Sequence, residues 1–165
     1  MNWRRILQTV DASAVIHAWD TYPIDHFPKL WEWISEQINH GELDICRVAY
    51  DAIARKTPDC GTWLESSGFK CSEITNAIAQ EALRIQAILG IRQRFSAKGV
   101  DENDLLIIAR ASIEGIDLVS EERPQRQLPA DMAHWRIPAV CRHVDVGVNC
   151  VQFIEIIKQS GRKLG

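Results

Sequence analysis

Residues 6–19 read ILQTVDASAVIHAW, and the reading of the fold turns on Asp11. Residues 6–10 have the length and apolar character of a short buried strand. Behind Asp11, the residues Ala14, Val15, Ala18 and Trp19 recur at helical spacing. A strand, a tight turn and a helix therefore meet at one acid. Such an acid has two uses: to cap the helix, or to stand at the carboxyl edge of a sheet, where open parallel sheets bind their ligands.

The same arrangement returns later in the chain. VDENDLLIIARASIEG, residues 100–115, is predicted to be a helix that opens with three acids in four residues, Asp101, Glu102 and Asp104, and stops at Gly115. IDLVSEE, residues 116–122, reads as a strand ending in Glu121 and Glu122. Between the two acidic motifs, KLWEWISEQINHG (29–41) places Leu30, Trp31, Ile34 and Ile38 on one helical face and stops at Gly41. Trp31 and Trp33 cannot both face one core, so one of them is expected to meet solvent, another element or a partner. LDICRVAYDAIARK (43–56) reads as a helix ended by Thr57 and Pro58, and DCGTWLESSG (59–68) as a weaker one. CSEITNAIAQEALRIQAILG (71–90) reads as a long helix capped by Ser72. QLPADMAHWRIPAVCRHVDVG (127–147) is expected to be a connecting loop with one short helix, followed by a last strand in VNCVQ and a helix in FIEIIKQSG. Strands alternating with helices predict an α/β fold, a parallel sheet covered on both faces, with a helical insert.

With 165 residues, 46% hydrophobic and 25% charged, the chain has the length of one domain with a sizeable core. The absence of an apolar run of about 18 residues argues against a membrane span and for a cytoplasmic protein. The formal charge of −3 excludes a global positive field, so any nucleic-acid contact must be local. Basic residues do cluster, as Arg92, Arg94 and Lys98, and again as Arg123, Arg126, Arg136 and Arg142. The five cysteines form no CxxC pair and read as reduced, mostly buried thiols. The histidines lack HExxH spacing, and GxSxG, GxGxxG and GKS/T are all absent, which argues against zinc hydrolysis, nucleophile-elbow and nucleotide-dependent enzymes.

Taken singly, each acid has a plain structural use, as a cap, a dipole partner or a solvated turn. Brought together at one sheet edge, Asp11, the acids of 101–104 and those of 121–122 repel one another unless a cation neutralises them. An all-oxygen set of this kind suits Mg²⁺ or Mn²⁺, and such an ion activates water and offsets charge on a phosphodiester.

VDASAVI, then DLLIIARA behind an acid-rich helix start, then LVSEE resembles the acidic signature of PIN-domain nucleases, many of them toxins of bacterial type II toxin–antitoxin pairs. AWDTYPIDHFPKLWEWI and WRIPAVCRHVDVGVNCVQFIEII are similar to one branch of PIN-like proteins, so the resemblance spans almost the whole chain. It implies a PIN-like three-layer α/β/α sandwich over residues 1–165. It further implies Asp11, Asp104 and Glu122 as catalytic metal ligands, with Ser13, Ser120, Glu121 and Asp51 as secondary candidates. One or two Mg²⁺ or Mn²⁺ ions, an RNA substrate attacked by a metal-activated water, an antitoxin partner and a homodimer belong to the same implication. One position departs from the pattern: where the family carries an acid in a run like VYDEL, this chain reads VAYDAI, with Ala52 in the acid's place. A reduced cluster, recruitment of Asp51, and an inactivating change at position 52 are the three readings. A noncatalytic interaction module, binding a partner through the helix around Trp31 and Trp33, is the alternative from another class.

Overall fold

The structure is a computed structural model and describes residues 7–164. Ile6, counted above in the first strand, lies outside the described residues. Strand β1 (Gln8–Val10) is buried along its whole length and runs through Asp11 into α1 (Ala12–Thr21). Helix α2 (Pro28–Asn39) leads to β2 (Leu43–Asp44), and α3 (Arg47–Lys56) and α4 (Pro58–Ser66) follow. Then come α5 (Asn76–Ile88), α6 (Glu102–Glu114) and β3 (Asp117–Val119). A 3₁₀ turn (Met132–His134), α7 (Ile137–Arg142), β4 (Cys150–Val151) and α8 (Phe153–Ser160) complete the order.

The four strands form one parallel sheet in the order β2-β1-β3-β4, flanked by helices. In register, Val10 pairs with Val119 and Val119 with Val151. The chain leaves β1 toward β2 on one side and returns to β3 on the other, which makes the β1/β3 boundary the topological switch point of the sheet. Asp11 N–H donates to Val119 O at 2.8 Å and Ser120 N–H to Val151 O at 2.9 Å. The residues that follow β1 and β3 are thereby held side by side at the carboxyl edge.

Two local expectations need correction. Residues 43–44 pair with β1 as a strand, and the helix read over 43–56 starts only at Arg47. A short mixed run carries too little periodicity to tell strand from helix, and its parallel partner decides it. There Thr9 donates its hydroxyl to Asp44 Oδ2 at 2.9 Å, and Arg110 holds the same oxygen at 3.0 Å. Thr75, not Ser72, caps α5, because Ser72 is extended and bridges to Cys46. Trp31 and Trp33 are both buried, at 2% and 5% exposure. Two positions along a helix differ by about 200°, so α2 is covered on both sides. Trp31 sits edge-on between Trp19 and Trp63, at 5.0 and 5.1 Å between ring centres, and its indole N–H donates to Tyr22 O at 2.7 Å. The five cysteines are free, with Cys46, Cys60 and Cys141 buried.

The approach to α6 is set by one glycine. A Cβ on Gly99 would stand 2.1 Å from Ala133 O, and the next residue, Val100, donates its N–H to Trp135 O at 3.0 Å. Backbone thus packs on backbone, locking the 3₁₀ turn against the residues that open α6. Gly99→Ala is expected to lower stability by about 1–3 kcal/mol through overpacking, measured as a lower urea midpoint with an unchanged m-value.

Candidate metal and hydrolytic site

Asp11 is 5% exposed at the switch point, where two hydroxyls serve it. Ser13 Oγ donates to Asp11 Oδ2 at 2.5 Å and Ser120 Oγ donates to the same oxygen at 3.2 Å. Each serine also accepts a backbone proton from the β3 end, Ser13 from Glu121 N–H at 3.1 Å and Ser120 from Glu122 N–H at 3.2 Å. The small hydroxyl residues therefore tie the ends of β1 and β3 into one rigid edge. The Asp11 side chain makes no capping bond to α1. Burial holds its carboxyl above the ordinary carboxylate range, against the pull of the two serine bonds.

Asp104 reaches the site from the first turn of α6. Asp101 and Asp104 form a reciprocal capping box: Asp104 N–H donates to Asp101 Oδ1 at 2.8 Å, and Asp101 N–H donates to Asp104 Oδ2 at 2.9 Å. The bond fixes Asp104 through one oxygen and leaves Oδ1 outside it. Burial, with repulsion from Asp101, Asp11 and Glu122, pushes the Asp104 carboxyl up to about 7. Glu122 is fixed in the same manner, its Oε2 accepting from Ile137 N–H, the first residue of α7, at 3.0 Å. Burial raises Glu122 as well, with Asp11 and Asp101 adding to the rise and Arg136 opposing it.

The structure thus brings Asp11, Asp104 and Glu122 into one another's field, and it adds Asp101, which sequence reasoning grouped with the helix start but did not assign. The D-x-x-D spacing was the signal for its capping role. Glu121 turns elsewhere: its Oε1 accepts from Phe153 N–H at 2.7 Å, opening α8, and its Oε2 lies 3.8 Å from His17 Nε2. Asp51 is exposed, and the groups that feel its charge are Arg47, Tyr50 and Cys71. Ala52 is half-buried and packed against the core on α3, which contacts both α1 and α6.

Carboxylates that raise one another's proton affinity, each anchored through one oxygen, form a hard, anionic donor set suited to a divalent cation. Among the described residues, no three His, Cys, Asp or Glu side chains stand close enough to enclose an ion by themselves. An ion here would keep part of its water shell, as Mg²⁺ does when one or two carboxylates hold it.

A family model described as "Domain of unknown function (DUF4411)" matches residues 9–164. No curated protein matches the chain. Among solved structures, the chain is similar to VapBC2 from Rickettsia felis, solved bound to a DNA fragment from their promoter. The TM-score is 0.55 at 12% identity, covering 90% of this chain and 99% of that one. PAE2754 from Pyrobaculum aerophilum aligns at a TM-score of 0.45 and 17% identity, over 87% of this chain and 97% of that one. The first of these carries the fold, which is PIN-like.

Proposed function

The chain belongs to the family described as Domain of unknown function DUF4411, and from that membership and its PIN-like fold we propose that it is a metal-dependent endoribonuclease, acting in the cytoplasm as the toxin of a two-gene module. The observation that supports this reading is the electrostatic coupling of Asp11, Asp104 and Glu122 beside the β1/β3 switch point. On the same reading its partner is an antitoxin whose segment covers the acidic edge, and the fold shared with VapBC2 is in keeping with such a partner.

Asp11, Asp104 and Glu122 would hold Mg²⁺ or Mn²⁺, which when bound supplies an activated water and charge compensation for a phosphodiester. The chain's own contribution is position. Ser13 and Ser120 orient Asp11, the Asp101 backbone orients Asp104, and the first N–H of α7 orients Glu122. Because these bonds are made before substrate arrives, the site needs little reorganisation during reaction. The alternative of a partner-binding aromatic face loses its surface, since Trp31 and Trp33 are both in the core. Among the described residues no helix is long and apolar enough to cross a membrane.

The test is cleavage of bulk RNA with Mn²⁺ by wild type, Asp11→Asn and Glu121→Gln. Wild type is expected to cleave, Asp11→Asn to lose about 100-fold or more, and Glu121→Gln to stay near wild type. Absence of cleavage by wild type and by Ala52→Glu would overturn the nuclease reading.

A further inference from the structure

A groove that the proposed chemistry does not use follows Glu122 along the chain. It encloses about 330 Å³ and is lined by Pro124, Gln125, Leu128, Trp135, Arg142 and His143, among others. It starts two residues after Glu122, and its far wall is α7, whose first N–H binds that same carboxylate. Its walls are fixed by internal bonds. Gln125 Nε2 donates to His134 O at 3.1 Å, and Gln125 Oε1 accepts from Arg136 N–H at 3.0 Å. The Trp135 indole N–H donates to Pro129 O at 2.8 Å, and its ring lies 6.1 Å from that of His143. At the lips stand two of the most exposed large apolar side chains among the described residues, Leu128 at 52% and Val144 at 88%.

The surrounding charge is mixed: Asp131 and Asp145 are exposed nearby, Asp145 donating its N–H to His143 Nδ1 at 3.1 Å, while Arg142 is an arginine that lines the groove. Arg123, Arg126, Arg136 and Arg142 are all exposed, and among the described residues none of them makes an ion pair within 4 Å. Arg47, Arg84, Arg110 and Arg162 are each paired with a carboxylate. Arg142 in the lining of one aromatic-walled slot, with Arg123, Arg126 and Arg136 next to lining residues along the chain, marks a local site for an anion that carries a flat apolar group.

Resting on the nuclease reading, we propose that this groove is a nucleotide subsite for single-stranded RNA. One base next to the scissile phosphate enters the slot and stacks on the Trp135 ring, and the arginines take the flanking phosphates. Single-strand binders combine these two elements, a π-face for the base and cations along the backbone. A volume near the low end of ligand pockets, roughly 300–1,000 Å³, suits one nucleotide and no more. The site therefore selects for unpaired RNA, because a base held in a duplex cannot enter the slot.

The experiment measures binding of a fluorescein-labelled 12-nucleotide single-stranded RNA by anisotropy in EDTA, so that it reads binding apart from cleavage. Full-length wild type is compared with Arg142→Ala, Leu128→Asp, Trp135→Phe, Trp135→Leu and Arg55→Ala, the last an exposed charge control on α3. Arg142→Ala is expected to weaken binding about tenfold and to lower the salt slope by about 0.7, the loss of one phosphate contact on a single strand. Trp135→Leu and Leu128→Asp are expected to weaken it by about tenfold each, with Trp135→Phe close to wild type because a ring remains. Arg55→Ala should leave affinity unchanged, and the same RNA annealed into a duplex should bind more weakly. Equal affinity across the groove variants, or an equal loss in Arg55→Ala, would overturn the subsite and leave the groove to another occupant such as a protein segment. Wild type that cleaves RNA while the groove variants bind it unchanged sinks the subsite alone. Wild type that binds through the groove but never cleaves sinks the nuclease reading alone.

Discussion

In EDTA at neutral pH, Asp104→Asn is expected to raise the melting temperature; with Mn²⁺ present, the same change is expected to cost about 100-fold or more in RNA cleavage. The two effects have one cause. Burial, and after it repulsion from Asp101, Asp11 and Glu122, penalises the Asp104 charge and pushes its titration from the ordinary 3.8 up to about 7. Between those values the folded protein holds a proton that the unfolded chain has released, so the stability contribution is full below about pH 4 and falls as the pH rises toward 7. Above that, the repulsion acts undiminished. Asparagine removes the charge and keeps an amide oxygen to accept the Asp101 N–H bond, so the capping box survives. Each kcal/mol relieved is worth about 2–4 °C in a protein of this size. The difference in melting temperature between variant and wild type should widen from acid to neutral pH in EDTA and close when Mn²⁺ is added. A difference independent of pH would show that the fold does not penalise the Asp104 charge.

The second large effect is expected at position 52. Ala52→Glu places a carboxylate on α3, the helix that packs on both α1 and α6, which Asp11 and Asp104 open. With the chemistry proposed above, a further anionic ligand should tighten Mn²⁺ binding by roughly tenfold or more and raise cleavage with it, while lowering the melting temperature in EDTA through added repulsion. Asp51→Asn is the matched control. Its side chain is exposed in the field of Arg47, Tyr50 and Cys71, so its loss should change neither Mn²⁺ affinity nor cleavage. Loss of activity in Asp51→Asn would mean that the helix turns its neighbour into the site.

Much of this arrangement was legible in the sequence, and the residues show why. Asp11 stands where two periodicities meet, and both sides of the junction are strong enough to place it at the end of β1. The acidic first turn marked residues 101–104 as a group, and the resemblance to PIN-domain nucleases singled out Asp104. The resemblance put Glu122 ahead of Glu121, but residue patterning alone did not separate them, because their positions are fixed by helix N-termini far along the chain. Ile137 N–H, 15 residues on, takes Glu122, and Phe153 N–H, 32 residues on, takes Glu121. The strand at 43–44 was hidden for a related reason, since only its pairing with β1 distinguishes it from the start of a helix. Burial of both Trp31 and Trp33 fits the expectation that one of them meets another element, since α2 is covered on two faces. The arginines of the last third form a cluster in the sequence, but only the fold shows that Arg142 lines a groove whose wall is held by Gln125 against His134 and Arg136.

The central claim is that Asp11, Asp104 and Glu122 together hold a divalent cation, and calorimetric titration of wild type and Asp104→Asn with Mn²⁺ tests it most directly. Wild type is expected to bind Mn²⁺ with release of protons near neutral pH, and Asp104→Asn to bind at least about tenfold more weakly with fewer protons released. Equal affinity in the two proteins, or no binding by wild type and by Ala52→Glu, would contradict the account and leave these carboxylates as caps for α6, α7 and the switch-point turn.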